Sequence, residues 1–184
     1  MGWLDRIPRA GNLYIGGQRA LFQTNLVKEA GITHVVSVID YDVDARQLER
    51  MKQLHIDAED VPGENLLCYF NTTTTFIDDA LESGGAVFIH CAMGKSRSAT
   101  IACAYLMWKY GISPSEALAQ VCEGRPVCQP NIGFMEQLSV YHQILGEDDD
   151  KIRDKIIEEW EKTRFQGKVW EWDSRTLVTG KSKL

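Results

Sequence analysis

The strongest constraint on the fold is an apolar run, residues 86–89, that leads through a polar loop into an apolar stretch at 96–109. A four-residue apolar run that follows Gly84 and Gly85 is typical of a buried strand. A second, β-branched run lies at 33–39, and the segments between such runs carry apolar residues at helical spacing. Strands alternating with helices predict an α/β fold, with a central, mainly parallel twisted sheet of four to five strands flanked by helices.

The other elements follow from the same patterns. Strands are predicted at residues 12–15 and 55–61, and helices at 18–30, 43–54, 65–82, 113–123, 131–145 and 147–165. An acidic run at 147–150 marks a change in composition, and three of the five tryptophans follow it. We therefore divide the chain into a domain at 1–146 and an extension at 147–184. The extension is predicted to hold a helix, packed on the domain or on a partner, and a tail from residue 166.

Composition and charge exclude several classes of protein. The net charge of −6 argues against direct nucleic-acid binding. The five cysteines form no CxxC pair, which argues against a disulfide scaffold and against a metal site. No apolar run reaches the roughly 18 residues of a membrane span, and the first residues lack the apolar core of a secretory signal. We expect a cytoplasmic or nuclear protein with reduced thiols and no membrane partner.

The loop after the 86–89 strand carries the chemistry. Cys91 stands at the end of the strand, and Arg97 stands where the next helix begins. The backbone N–H groups of such a loop and the positive end of a helix both attract a phosphate-sized anion. The same field is expected to lower the pKa of Cys91, which makes it a candidate nucleophile. The planar fork of Arg97 matches two phosphoryl oxygens, and Ser98 can donate its hydroxyl to the sulfur.

The remaining loop residues form the predicted binding site for a phosphate or similar oxyanion. Gly94 lets the loop bend where a Cβ would clash. Lys95 either adds a positive charge at the rim or is simply solvated. His90 is predicted to hold the loop rather than to transfer protons. The predicted substrate-binding residues are Ala92, Met93, Gly94, Lys95, Ser96 and Arg97.

The motif His-Cys-x5-Arg-Ser, at residues 90–98, resembles the signature of the cysteine-dependent protein tyrosine phosphatases. Its Gly-x-Ser-Arg-Ser ending and the short chain resemble the dual-specificity branch. The similarity covers residues 10–145 and includes Arg125-Pro126 and the run 130–134. Within the branch, the chain most resembles the catalytic domain of the atypical YVH type, whose zinc-binding domain is implicated in ribosome assembly. No cysteine follows Cys128, so we expect that zinc-binding domain to be absent.

The resemblance also implies a general acid about thirty residues before the cysteine. Asp60 lies 31 positions before Cys91 and is the preferred candidate. Asp57 falls within the predicted strand, and Glu64 lies near a helix N-terminus, where capping is an ordinary role. Asn131 either shapes the loop, as the resemblance implies, or caps the helix that follows it; both interpretations stay open.

The resemblance implies hydrolysis in two steps without metal or other cofactor. Cys91 attacks phosphorus while Asp60 protonates the leaving oxygen, and water then cleaves the phosphocysteine. The implied substrates are phosphoproteins that carry phosphotyrosine, phosphoserine or phosphothreonine. One alternative is a phosphatase of phosphoinositide, glycan or RNA phosphates. Another is a ribosome-assembly or scaffold protein, in which catalysis is secondary and the Trp-rich extension binds a protein partner.

Overall fold

A five-stranded sheet forms the centre of the protein. The computed structural model describes residues 2–43 and 50–167. The strands are β1 (Leu4–Arg6), β2 (Leu13–Gly17), β3 (His34–Val38), β4 (Lys52–Ile56) and β5 (Val87–Cys91). They are arranged in the order β1-β2-β5-β3-β4, and only the β1–β2 pair is antiparallel. The predicted α/β fold with a mainly parallel sheet is confirmed.

Helices cover both faces of the sheet. They are α1 (Thr24–Glu29), α2 (Phe70–Glu82), α3 (Arg97–Tyr110), α4 (Pro114–Gly124), α5 (Ile132–Leu145) and α6 (Asp150–Thr163), with 3-10 helices at Gln18–Phe22 and Leu67–Tyr69. Because side chains alternate along a strand, Val36 and Val38 of β3 enter the larger core beneath α2–α6. Val35 enters a smaller core on the opposite face, beside α1. Within the described residues, no helix is long and apolar enough to cross a membrane.

Helix α3 is the buried centre of the larger core. Every residue from 97 to 107 is buried, which explains why its sequence is apolar on all sides rather than amphipathic. The helix ends at Gly111, whose backbone is left-handed (φ 65°) and donates to the Met107 carbonyl. Since β5 ends at Cys91 and α3 begins at Arg97, their connecting loop lies at the carboxyl edge of the sheet.

Several predicted elements differ from those in the structure. The predicted helix at 43–54 is wrong over its last residues, which begin β4, while residues 44–49 lie outside the described part. Within the edge strand β4 only Ile56 is buried, so the segment lacks a strand-like apolar pattern. The predicted strand at 55–61 is correct only at its first two residues, because the observed β4 ends at Ile56. The three-residue β1 was missed because it is too short to show a period.

Helix α6 connects the C-terminal extension to the domain. It packs on α5, and its Trp160 is only 6% exposed and belongs to the larger core. Of the two positions that the sequence left open, on the domain or on a partner, the helix takes the first. Asp149 caps it by accepting a hydrogen bond from the Lys151 N–H. The other two C-terminal tryptophans and most of the predicted tail fall at 168–184, outside the described residues.

Replacing Trp160 by alanine should lower the free energy of unfolding by about 3–5 kcal/mol, because it removes a large side chain from the core. Urea denaturation followed by circular dichroism measures the change. Ile152→Ala, on the same helix at a side chain that is 44% exposed, should cost less than about 1 kcal/mol. Equal effects of the two substitutions would contradict the packing of α6 through Trp160.

Candidate active site

The loop between β5 and α3 packs directly on the end of β2. Gly94 is left-handed (φ 68°), and a Cβ at this position would overlap the Gly16 carbonyl and lie 2.6 Å from the Gly17 nitrogen. The Gln18 N–H donates to the Ala92 carbonyl at 3.3 Å. Only glycine satisfies both the backbone angle and the close approach, so the bend predicted at Gly94 has a clear steric cause.

The sulfur of Cys91 receives hydrogen bonds from the loop. The Gly94 N–H donates to it at 3.2 Å, and the Ser98 hydroxyl lies 3.3 Å away. Burial by itself raises the pKa of Cys91. Hydrogen bonds from the Ser98 side chain and from the backbone of Ser98, Lys95 and Gly94 outweigh that effect, so the pKa lies below its ordinary value. The site therefore favours the thiolate, the nucleophilic form.

The guanidinium of Arg97 is buried and only partly paired. Its Nη1 donates to Asp40 Oδ1 and to the Ala58 carbonyl, both at 2.9 Å. Its Nε has no hydrogen-bond partner among the described residues and lies 4.0 Å from Asp60 Oδ2. A buried donor left unpaired is costly, and Arg97 borders the same cavity as Cys91. An oxyanion in that cavity would supply the missing acceptor.

Asp60 faces the same cavity from the loop after β4. Its Oδ1 accepts a hydrogen bond from the Ser96 hydroxyl at 2.6 Å and another from Asn131 Nδ2 at 3.0 Å. The Oδ1 of Asn131 also accepts from the Phe134 N–H and caps α5. Asn131 therefore caps the helix, as one of the two interpretations holds, and its amide also contacts the Asp60 carboxylate.

The other two candidates for the general acid, Asp57 and Glu64, have different contacts from those of Asp60. Asp57 is exposed just beyond the end of β4 and does not border the cavity. Glu64 accepts hydrogen bonds from the N–H groups of Glu59 and Asn65, at 3.1 Å each, and so closes the loop on itself. Asp60 alone of the three carboxylates borders the cavity that contains Cys91.

His90 lies beneath the loop rather than in the cavity. Its Nε2 is 2.7 Å from the hydroxyl of Ser37 on the neighbouring strand β3. Burial lowers the pKa of His90 to about 4, so the ring is neutral at physiological pH. A neutral, fully buried ring is suited to holding β5 against β3.

The cavity has a volume of about 440 Å³. It is bordered by Asp60, Cys91, Ala92, Met93, Lys95, Ser96, Arg97, Gln129 and Asn131. Of the predicted binding residues, Gly94 takes part through its backbone beneath the others. Lys95 is exposed at the rim, and Met93 is 70% exposed.

Two residues were missed at the sequence level. Asp40 follows β3 at the same edge as Cys91 and anchors Arg97. A hydrogen bond from its own backbone N–H, and then one from Arg97, hold the pKa of Asp40 below its ordinary value, which keeps it charged. A polar residue directly after a buried strand was the available signal. Gln129 donates its N–H to the Lys95 carbonyl at 2.8 Å, and no sequence pattern indicates that contact.

The sequence indicates Arg125 only through the family resemblance, yet this residue connects the loop between β5 and α3 to neighbouring segments. The residue is 5% exposed, and its guanidinium donates to the carbonyls of Gly94 at 2.7 Å and Met93 at 3.0 Å. It also forms a salt bridge with Asp5 at 2.6 Å. The Met93 carbonyl belongs to the same peptide as the Gly94 N–H, which donates to the Cys91 sulfur, so Arg125 helps to orient that donor.

A thiol with a lowered pKa, a buried arginine and a carboxylate around one cavity are the groups that a cysteine-dependent phosphatase requires. The family described as "Dual specificity phosphatase, catalytic domain" matches residues 13–144. The chain belongs to this family and carries its catalytic domain.

The chain is similar to named members of the family. It is 40% identical over 138 residues to "Dual specificity protein phosphatase 1" of Arabidopsis thaliana, a match over 73% of this chain and 68% of that protein. It is 37% identical over 159 residues to "Tyrosine-protein phosphatase YVH1" of Saccharomyces cerevisiae, over 74% of this chain and 43% of that protein. The solved Yvh1 phosphatase domain from Chaetomium thermophilum is 38% identical, with a TM-score of 0.73 over 80% of this chain and 99% of that domain. The expected likeness to the YVH type is confirmed.

Replacing Ser98 by alanine should raise the pKa of Cys91, because the thiolate loses a hydrogen bond. The acidic limb of kcat/KM should move to higher pH, and iodoacetate should alkylate Cys91 more slowly at pH 6. Hydrogen bonds to charged groups contribute about 1.5–3 kcal/mol, so activity at pH 6 should fall about tenfold or more.

Ser139→Ala provides the control for this substitution. Ser139 is an exposed helical serine whose hydroxyl donates to the Met135 carbonyl within α5. Its replacement should leave the pH profile unchanged. An unchanged alkylation rate in Ser98→Ala would show that the hydroxyl does not stabilise the thiolate.

Proposed function

We propose that the protein hydrolyses phosphate monoesters on tyrosine, serine and threonine side chains of proteins through a phosphocysteine intermediate. The observation that carries the proposal is the shared cavity, which Cys91, Arg97 and Asp60 border together, with the Arg97 Nε lacking a hydrogen-bond partner among the described residues. Membership of the dual specificity phosphatase family supports the same activity.

In the first step, the Cys91 sulfur attacks phosphorus and the bond between phosphorus and the leaving oxygen breaks. Asp60, in its protonated form, gives its proton to that oxygen. The guanidinium of Arg97 and the backbone N–H groups of residues 92–97 hold the other phosphoryl oxygens. Because these donors are already in position, the developing charge requires little reorganisation.

In the second step, water attacks phosphorus and the bond between sulfur and phosphorus breaks. Asp60, now a carboxylate, takes the proton from the water. The departing thiolate of Cys91 is stabilised by the Ser98 hydroxyl at 3.3 Å. We accordingly propose Cys91, Arg97, Asp60 and Ser98 as the catalytic residues and the loop 92–97 as the substrate-binding site.

His90 and Asn131 are proposed as supporting residues. The neutral ring of His90 and its contact with Ser37 favour a structural role over proton transfer. The Asn131 amide holds Asp60 at 3.0 Å and so sets the position of the general acid.

The surroundings of the cavity favour protein substrates. A neighbouring cavity of about 830 Å³, bordered by the exposed rings of Trp3 and Tyr41, shares Ala92 and Met93 with the phosphate cavity. This gives room for a residue next to a phosphorylated side chain. Lys95 is the single lysine of the loop, a weak match to the many charges of phosphoinositides or RNA. Those substrates, glycan phosphates and a purely scaffolding role are not favoured.

We also propose that the protein acts in a reducing compartment, the cytoplasm or the nucleus. All five cysteines lie among the described residues and are free thiols there, and an activity that depends on the Cys91 thiolate needs such conditions. A protein partner for the C-terminal extension remains a proposal that concerns mainly its last tryptophans, because Trp160 is buried.

Cys91→Ser should abolish hydrolysis of p-nitrophenyl phosphate and of a phosphotyrosine peptide, because an alcohol is not ionised as readily as the thiol. Wild-type activity should persist in a chelating agent. A panel that adds phosphothreonine peptide, phosphoinositide and 5′-phosphorylated RNA tests the substrate class. Activity that survives in Cys91→Ser, or that requires a divalent metal, would refute the mechanism; preference for lipid or RNA would refute the substrate class.

Asp60→Asn should slow hydrolysis of a phosphothreonine peptide by about 100-fold or more, within the range expected for general acids. Hydrolysis of p-nitrophenyl phosphate should fall much less, because p-nitrophenolate leaves without needing a proton. Measuring kcat for both substrates checks this. Asp57→Asn serves as the matched control and should match wild type; equal losses on both substrates in Asp60→Asn would count against the assignment.

A further inference from the structure

The C-terminal extension contacts the loop that carries Asp60. This acid loop, residues 59–64, connects the end of β4 to the segment before α2. Asp60 itself is exposed, and within the loop the Glu64 N–H donates to the Val61 carbonyl and the Glu59 N–H donates to Glu64 Oε2, each at 3.1 Å. Contacts with neighbouring elements complete the positioning of this loop.

One side of the acid loop packs on α5. Gly133 approaches Pro62 so closely that a Cβ there would overlap the Pro62 carbonyl oxygen. Gln137 donates from Nε2 to the Glu64 carbonyl at 2.8 Å, while its Oε1 accepts from the Leu66 N–H at 2.8 Å. These contacts lie within the region that matches the family.

The other side of the loop is held by the extension. Arg164 Nη1 donates to the Gly63 carbonyl at 2.9 Å, and Arg164 Nε donates to Glu161 Oε2 at 2.6 Å. The second oxygen of Glu161 accepts from Asn65 Nδ2 at 2.9 Å. A Cβ on Gly63 would lie 3.3 Å from the Phe165 carbonyl, which places the backbone after α6 against the loop. Two side chains of the extension thus bridge to both ends of the Gly63–Asn65 segment.

The residues that make these contacts are joined to the larger core through Trp160. Trp160 lies in the larger core, and the guanidinium of Arg164 lies over its ring, 5.5 Å from the centroid. The Arg164 side chain is 21% exposed, so its hydrogen bonds are partly shielded from water. The chain of contacts runs from the core through Trp160 and Arg164 to Gly63, three residues from Asp60.

We propose that α6 and residues 164–167 form a brace that holds the acid loop, with Arg164 as the positioning residue that keeps Asp60 in reach of the leaving oxygen. The proposal rests on the proposed function, in which Asp60 is the general acid. A proton donor must lie within hydrogen-bond distance of the atom that it protonates, and a displacement of about 1 Å can cost up to about 100-fold in rate. The brace would give a role in catalysis to a segment that lies outside residues 13–144, the region that matches the family.

The test compares Arg164→Met with Lys162→Met in the full chain. Methionine keeps much of the arginine stem but removes its hydrogen bonds. Lys162 is on the same helix, but its side chain is 73% exposed and lies 3.9 Å from Glu158, so it has no part in the brace. Both variants are assayed with p-nitrophenyl phosphate and with a phosphothreonine peptide. Circular dichroism melting verifies that they are folded.

For Arg164→Met, kcat on the phosphothreonine peptide should fall between about 3-fold and 100-fold. The value for p-nitrophenyl phosphate should change less than about 2-fold, since that leaving group needs little protonation. Lys162→Met should match wild type on both. Arg164→Lys should recover part of the loss, because lysine restores one donor and the charge. Unchanged kcat on the peptide, or equal losses on the two substrates, would overturn the brace.

A double variant separates this proposal from the one on which it rests. If Arg164 acts through Asp60, adding Arg164→Met to Asp60→Asn should cause no further loss on the peptide. A full additional loss would overturn the brace while leaving Asp60 as the acid. If Asp60→Asn itself fails to distinguish the two substrates, the acid assignment is wrong and the brace proposal falls with it.

Discussion

The close approach of two backbones, at the loop 91–97 and at the end of β2, is the constraint on which the rest of the site depends. Gly94 leaves no room for a side chain against Gly16, so the loop is pressed onto the sheet rather than standing in solvent. In that position its N–H groups point to the Cys91 sulfur, and Arg125 holds its carbonyls on the other side. Although burial raises the pKa of Cys91, hydrogen bonds from the Ser98 hydroxyl and then from the loop N–H groups lower it below its ordinary value.

The positive field of the site is local, in a protein whose net charge is −6. Arg97 supplies the cation, and the carboxyl ends of β3 and β4 supply its two acceptors, Asp40 and the Ala58 carbonyl. These acceptors fix the guanidinium but leave its Nε for a ligand. Because the side chain is 7% exposed, water does not screen that donor as it would on the surface.

The general-acid candidate is positioned in a different way, by side chains from distant parts of the chain. Asp60 lies on an irregular loop whose contacts come from Ser96, Asn131 and the start of α5. Helix α6 adds a further set of contacts and lies beyond the boundary at residue 146 that composition indicates. Its buried tryptophan joins it to the larger core. A change in charge along the chain therefore does not mark a change in packing.

Some of this architecture is determined by local sequence. The buried strand β5, the glycine-dependent bend, the nucleophile and Arg97 are all within residues 86–97, where backbone preference, burial and chemistry agree. Helix α3 and the parallel sheet follow from apolar patterns that need no knowledge of partners. Asp60 was found from its spacing and family resemblance, whereas β4 was misplaced because an edge strand with one buried residue has no diagnostic period.

What only the tertiary structure decided is which distant groups meet at the carboxyl edge: Asp40 on Arg97, Asn131 on Asp60, and Arg164 on Gly63. Each pair is separated by more than fifty residues, and the hydrogen bond exists only because the sheet and its helices bring the two segments to one place.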